Sequence, residues 1–311
     1  MAATKDQTLM AAGLISIYAF VIGFTDNYVR VIAEEAGLWQ FHFTRSCMTA
    51  VLLGLGAVAL GWRIRPRNWG AVVARSSIHG SAMVIYFGAL AFLDVALVAA
   101  GLFTAPIWVL LISRFAYGHA IGPVRIIAVA LGFAGVILVL GPEALGGASL
   151  AALLPIIAGA LYAMGNIATR EWCGEESAQT LLAGFFGALG IIGALGMVVL
   201  TFLPLEVPAG PDGFLQRGPV WASGEFYFWT AVQAVGSLVG VGFMIRAYQI
   251  TDASRASVLE YIILPASAFW TWVIWGKGLE PLAVVGMVLI VAAGSMIALR
   301  AKVQEAQAPT A

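Results

Sequence analysis

The chain has 311 residues, of which 61% are hydrophobic and only 10% charged, with 16 basic and 16 acidic side chains and a formal net charge of zero. A water-soluble fold of this length could not hide so much apolar surface around one core, so the composition places the chain in a membrane. The neutral balance gives no sign of nucleic acid as a partner, and there is neither a Gly-rich loop ending in Lys-Ser or Lys-Thr nor a soluble domain large enough to bind ATP.

A spanning helix needs about 20 mostly apolar residues. Ten stretches qualify: 9 to 32, 37 to 61, 69 to 92, 94 to 114, 121 to 140, 149 to 170, 178 to 203, 225 to 249, 253 to 275 and 279 to 300. The first runs too long for a secretion signal and ends in Asp26, Asn27 and Arg30 without a small-residue cleavage site, so it is expected to remain as a helix. On it, Asp26 and Arg30 stand four apart on one face, and Arg45 of the second span reaches a similar depth from the opposite direction. Two readings stand: an ion-pair cluster joining the two helices, or an outer gate or carboxylate-binding arginine.

The third span carries His79 at its middle, with Arg75 a turn below and Met83 and Tyr86 above. An imidazole there either relays a proton, holds a polar substrate group or is a hydrogen-bonded packing residue. The fourth and ninth spans contain Pro106 and Pro265, each within a turn or so of Trp108 and Trp270. A proline removes one backbone hydrogen bond, which transporters use to expose polar backbone and other membrane helices use as a kink. Tyr162, Asn166 and Thr169 form a polar stripe on the sixth span, and Gln233, Ser237 and Gly240 one on the eighth; such stripes line a cavity or join helices. Gly184, Gly187, Gly190, Gly193 and Gly196 recur every three residues on the seventh, a spacing that drifts around the axis and predicts a slim packing helix without a single seam.

Glu260, about two turns into the ninth span, is the sharpest candidate. An ionisable group at a helix centre costs about 2.5 to 3.5 kcal/mol on insertion scales, so it must face the protein interior. Ser257, Tyr261, Ser267 and Thr271 share roughly its face, and no basic residue on that helix is closer than Arg255. An isolated carboxyl suits proton binding and release; the alternative is a neutral Glu donating one interhelical hydrogen bond.

Cys47 and Cys173 are expected too far apart to bridge and match no metal-ligand spacing. Residues 204 to 224, rich in Pro and Gly, form the one long connection and are expected outside and partly ordered. With a cytoplasmic N-terminus, Lys5, Arg63, Arg65, Arg67, Arg75, Arg114, Arg125, Arg170, Arg246, Arg255, Arg300 and Lys302 all sit at cytoplasmic ends. Only Arg30, Arg217 and Lys277 fall outside. Basic residues in short loops stay cytoplasmic, which predicts both termini inside.

The two halves share a faint pattern. Asp94, Ala96, Ala99, Pro106, Pro123, Gly132 and Gly135 in the first correspond to Asp252, Ser254, Ser257, Pro265, Pro281, Gly286 and Gly294 in the second. Five spans per half, an odd number, make the repeats enter the membrane from opposite sides, a plan of secondary transporters.

The run Ala89 to Pro106 (ALAFLDVALVAAGLFTAP), with Ala130 to Pro142 (ALGFAGVILVLGP) and Ala158 to Arg170 (AGALYAMGNIATR), resembles the drug/metabolite transporter superfamily in its ten-helix EamA-type branch. The resemblance implies an all-α membrane protein of ten transmembrane helices, built as two inverted five-helix repeats over 9–142 and 149–300 around a central substrate cavity. Asp26, Arg30 and Arg45 also fall where an S-adenosylmethionine transporter-like subgroup tends to place an Asp, a basic residue and an Arg. The chain departs from the usual pattern at Gly118-His119, where relatives often carry Gly-Glu, and at Gly276-Lys277 in the second half.

The expected function is secondary transport of a small polar or amphipathic metabolite by alternating access, proton-coupled or exchange-driven, in a bacterial inner membrane. Glu260, His79, Tyr261, Tyr162, Asn166, Gln233 and Trp108 are the expected pathway residues, and Asp26, Arg30 and Arg45 the outer ion pair or gate. No cofactor, metal, nucleic acid or ATPase partner is expected; the partners are a small-molecule substrate, the lipid bilayer and protons. The rivals are an intramembrane enzyme acting on a lipid-linked substrate and a non-transporting membrane partner protein.

Overall fold

A computed structural model describes residues 7–89, 93, 95–141, 150–278 and 280–306; Lys5, Asp94 and Pro142 fall outside them. Among the described residues there is no strand. The helices are α1 (Thr8–Asp26), α2 (Val29–Glu35), α3 (Leu38–Leu60), α4 (Trp69–Ala89), α5 (Val95–Leu102), α6 (Ala105–Phe115), α7 (Pro123–Leu140), α8 (Leu153–Glu171), α9 (Ala178–Phe202), α10 (Gly224–Ile250), α11 (Ala253–Leu259), α12 (Ile263–Trp275) and α13 (Pro281–Ala306). Nine helical stretches among the described residues are long and apolar enough to cross a membrane. The remaining expected span is α4, 21 residues long, whose Arg75, His79 and serines dilute its apolar character.

Three expected spans are broken. The first is distorted after Asp26, where Asn27 stays right-handed helical: its Nδ2 donates to the Gly23 carbonyl at 2.7 Å, and its Oδ1 accepts from the Thr271 hydroxyl at 2.8 Å and the Trp275 indole N–H at 3.2 Å. Asp26 and Arg30 therefore lie on either side of a two-residue turn within one span. The fourth span divides at Phe103 and Thr104, where the Thr104 hydroxyl donates to the Gly101 carbonyl at 2.6 Å. Pro106 lies in the first turn of α6, where an absent N–H leaves no helical bond unmade. The ninth divides at a 3₁₀ turn, Glu260–Ile262, with Pro265 likewise in the first turn of α12. At Thr104 and through the 3₁₀ turn of the ninth span the backbone stays in the right-handed helical region, so each proline sits at a local distortion of an otherwise continuous span.

The two breaks meet. The Tyr261 hydroxyl donates to the Phe103 carbonyl at 3.2 Å, satisfying a backbone acceptor freed by the first break. Gly132 on α7 makes room for that ring: a Cβ there would lie 2.5 Å from it.

Packing partners follow an exchange of halves. Helix α1 packs on α10 and α12, as α8 packs on α4 and α6; α3 contacts α10, as α9 contacts α4; α3 meets α9, and α7 meets α13. At the last contact Gly135 and Gly286 face each other, and a Cβ on either would stand 2.6 Å from the other's carbonyl oxygen. On α9, Gly190, Gly193 and Gly196 all meet α3, while Gly184 meets α4. The expected drift around the axis is offset because the large Trp39 side chain reaches round to Gly196.

Residues 203–223 fold back as an ordered strap. Arg217 donates to the carbonyls of Ala33 and Gly210 at 2.7 Å each, Leu38 N–H to the Phe214 carbonyl at 2.7 Å, and Gln40 exchanges two bonds with Val220. At the opposite end, where α1 begins, Asp252 takes Arg125 at 2.7 Å, Arg170 at 3.4 Å and Arg255 at 3.7 Å. The Glu176 carboxylate there accepts the backbone N–H groups of Arg67 and Asn68, both at 2.8 Å. Cys173, a free thiol, is buried beneath this network, and Gln249 donates to its carbonyl.

Candidate central cavity

The broken spans enclose a cavity of about 280 Å³. Its walls come from both halves: α1, α3 and α4 on one side, α8, α9 and α10 on the other, and the breaks at Phe103 and Glu260 between them. Deep ligand sites are characteristically apolar with a few placed polar groups, and this lining follows that plan, with Phe87, Phe103, Phe185 and Phe186 beside a small set of ionisable side chains.

Glu260 stands in the 3₁₀ turn, 7% exposed, and accepts the Tyr162 hydroxyl at 3.2 Å. That hydroxyl lies 3.2 Å from the Met244 sulfur as well. Tyr248 approaches the same carboxyl from α10, and Tyr18 stands close to both Tyr162 and Glu260. No cationic side chain pairs with Glu260 among the described residues. The site therefore offers a carboxyl ringed by phenols, which donate hydrogen bonds but carry no compensating charge.

His79 lines the cavity next to this ring, its imidazole 4.7 Å from the Tyr162 ring and 5.2 Å from that of Phe185. Gly165 of α8 admits it, since a Cβ would sit 2.7 Å from Nδ1. One turn below, Arg75 is 1% exposed and donates to Thr169 Oγ1 at 3.0 Å and the Leu181 carbonyl at 3.4 Å.

Asp26 and Arg45 line the same cavity nearer the strap. Among the described residues no direct ion pair joins them to each other or to Arg30, in place of the expected cluster, although the Asp26 and Arg45 charges act on each other at longer range. Arg30, beyond the break, stacks instead on Trp275 with 4.3 Å to the ring centroid. Arg45 donates from Nη2 to His42 Nδ1 at 3.1 Å and lies over the Phe41 and Phe186 rings at 4.6 and 5.5 Å. Arginine can only donate, so His42 Nδ1 is the acceptor and carries no proton. Asp26 accepts from Gln233 Nε2 at 3.3 Å.

Of the remaining expected pathway residues, Tyr261 lines the cavity floor, whereas Gln233, Asn166 and Trp108 do not. Gln233 braces α1 through the Thr25 carbonyl at 2.8 Å, Asn166 is 1% exposed behind Tyr162, and Trp108 packs against the apolar core around Val109 and Tyr248. Tyr18 was absent from the sequence expectation. It had a signal, for Tyr18, Ile22 and Asp26 recur every four residues along α1 and all three line the cavity.

Fold and cavity together define a multi-pass all-α membrane protein with a polar chamber between two sets of helices. Residues 9–141 match the model of the EamA-like transporter family, so this part of the chain is similar to an EamA-like domain. The chain is 25% identical over 275 residues to a riboflavin transporter of Rhizobium johnstonii, covering 85% of this chain and 80% of that protein. It is 22% identical over 291 residues to the pseudopaline exporter CntI of Pseudomonas aeruginosa, with 92% and 95% covered. To an uncharacterised transporter of Helicobacter pylori it is 21% identical over 304 residues, covering 97% and 98%. A protein of known crystal structure superposes with a TM-score of 0.74 at 20% identity, over 94% of this chain and 98% of that one, which shows the shared fold. These similarities support membrane transport, and the names of the relatives point to transporters and not to enzymes.

Proposed function

We propose that the protein is a secondary transporter that carries a small polar or amphipathic solute by alternating access, with Glu260 as its proton- or cation-accepting group. The carrying observation is a carboxyl without a cationic partner, held by Tyr162 in a chamber where the breaks of two spans touch through Tyr261 and Phe103. Such a carboxyl is at rest when protonated or when a substrate cation lies against it, so its occupancy couples binding to a gradient. Unwound helices at a midplane site are a recurrent device of transporters.

We read the architecture as two inverted five-helix repeats, 9–142 and 149–300. The exchange symmetry of the packing pairs and the matched breaks before Pro106 and Pro265 support this reading. The cavity is lined from both proposed repeats, so on this reading rocking one half against the other would expose it alternately to each side. His79, beside Tyr162, extends the polar path from Glu260 towards Arg75. Solute flux into proteoliposomes under an imposed pH gradient tests the function. Accumulation that collapses with the gradient is expected, and absence of any solute flux would sink the reading.

A further inference from the structure

The segment joining α3 to α4 alternates in exposure. Trp62, Ile64 and Pro66 are half-buried, the first two packed on the apolar cluster around Leu181, while Arg63, Arg65 and Arg67 between them are exposed. A period of two in a non-helical stretch sends its arginines to one side. The segment is also pinned, because Ser177 Oγ donates to the Arg63 carbonyl at 3.0 Å and the Glu176 carboxylate accepts the N–H groups of Arg67 and Asn68. These bonds hold the arginines at a second cavity, of about 340 Å³, which Arg246 of α10 also lines. It lies at the end opposite the strap, outside the central chamber.

The carboxylates of this cavity are already engaged. Glu175 pairs with Arg67 at 3.3 Å, and Glu176 serves the backbone N–H groups. Four arginines against two carboxylates leave the lining with an excess of positive charge, and Arg63, Arg65 and Arg246 form no ion pair among the described residues. Exposed apolar surface approaches from two neighbouring helices. On α3, Val51, Leu55 and Val58 lead to Leu60, just before the arginine segment; on α10, Val235 and Val239 share the exposed face of Arg246, little more than a turn before that helix ends at Ile250. Trp69, exposed in the first turn of α4, marks the level at which indole rings meet headgroups.

We propose that Arg63, Arg65 and Arg246 form a seat for the phosphate of an acidic phospholipid, whose acyl chains lie on the exposed faces of α3 and α10. Guanidinium forks match phosphate oxygens, and a basic hollow at the boundary of the hydrocarbon is where such a headgroup sits. A free phosphate would answer the charge and leave the apolar faces uncovered. The seat is independent of the transport reading, since no residue of it lines the central chamber.

The test uses the purified full chain in a neutral detergent with phosphatidylglycerol, phosphatidylcholine of the same acyl chains, or inorganic phosphate. Retained lipid is counted by native mass spectrometry and the melting temperature is followed in parallel. Phosphatidylglycerol is expected to be held about tenfold more tightly than phosphatidylcholine and to raise the melting temperature, with inorganic phosphate neither stabilising the chain nor displacing the lipid. Arg63→Gln combined with Arg246→Gln is expected to remove the preference. Arg114→Gln combined with Arg300→Gln takes the same charge from exposed arginines that do not line this cavity, and should keep it. Equal retention of the two lipids by the parent chain would overturn the proposal, and no variant has to fold for that outcome to count. A preference that survives the first double variant, or falls equally in both, would overturn it too, and displacement of the lipid by inorganic phosphate would replace it with a free anion.

Discussion

At the scale of single residues, the chamber concentrates groups that a helix in lipid would otherwise exclude. Glu260 is argued to couple, so Glu260→Gln is expected to insert at parental abundance and to lose the dependence of flux on the pH gradient, with Glu260→Asp keeping part of it. Flux that follows the gradient in Glu260→Gln would make the residue structural and leave His79 as the coupling candidate. The position of His79 rests on Gly165. Gly165→Ala places a Cβ 2.7 Å from Nδ1, and overpacking of this kind costs about 1 to 3 kcal/mol. Its melting temperature should fall clearly below that of Gly187→Ala, whose Cβ meets nothing within 4 Å. The absent ion pair also carries an expectation. Removing one partner of a buried pair costs about 3 to 5 kcal/mol, but Asp26 and Arg45 are not paired, so Asp26→Asn should keep membrane abundance near that of the parent. A steep loss of protein in that variant would contradict the geometry.

At the scale of elements, nine spans were legible because each is a long apolar run, with α4 diluted by Arg75 and His79, and Glu260 stood out because nothing else charged lay near it on its span. The breaks were less legible. Pro106 and Pro265 marked them, but proline is equally at home inside a kinked helix and at the start of a new one, and only the neighbouring carbonyl partners decide. The break after Asp26 had no such mark, since it depends on Asn27 reaching Thr271 and Trp275 almost a chain-length away. The same long-range dependence hid the separation of Arg30 from Asp26 and the withdrawal of Trp108 and Asn166 from the cavity lining. Asn27→Ala would leave the Trp275 indole N–H without its acceptor, while the Thr271 hydroxyl keeps the Ser267 carbonyl at 2.9 Å. We expect protease sensitivity at 27–28 to change and the Trp275 environment, read by fluorescence, to shift, with a smaller Trp275 shift for Asn27→Asp, which keeps the accepting oxygen but loses the donor to the Gly23 carbonyl.

At the scale of the whole molecule, the end opposite the strap is tied across the halves by Asp252 with Arg125 and by Glu176 with the 67–68 backbone. Asp252 is part-exposed while Glu176 is 6% exposed, so opening this end must break several charge-assisted hydrogen bonds together. Cys173 beneath it reports that opening. Burial pushes its thiol up to about 11, so at neutral pH the reactive thiolate is scarce and alkylation is slow, rising about tenfold per pH unit below that value. In a Cys47→Ser background, Asp252→Asn is expected to speed maleimide labelling of Cys173 severalfold at fixed pH. An unchanged rate would show that Asp252 does not hold this end shut. Reporter fusions at Ala311 and within 204–224 should place the first inside and the second outside, following the basic residues.

The facing glycines of α7 and α13 give the molecule a fixed point for measurement. Where two backbones touch with no side chain between them, separation forfeits contact at once while rotation about the seam changes few distances. Spin labels on the lipid-facing sides of these two helices should therefore return one distance throughout the cycle. Against that reference, distance changes between a label on one half and a label on the other, away from this seam, report displacement of the halves.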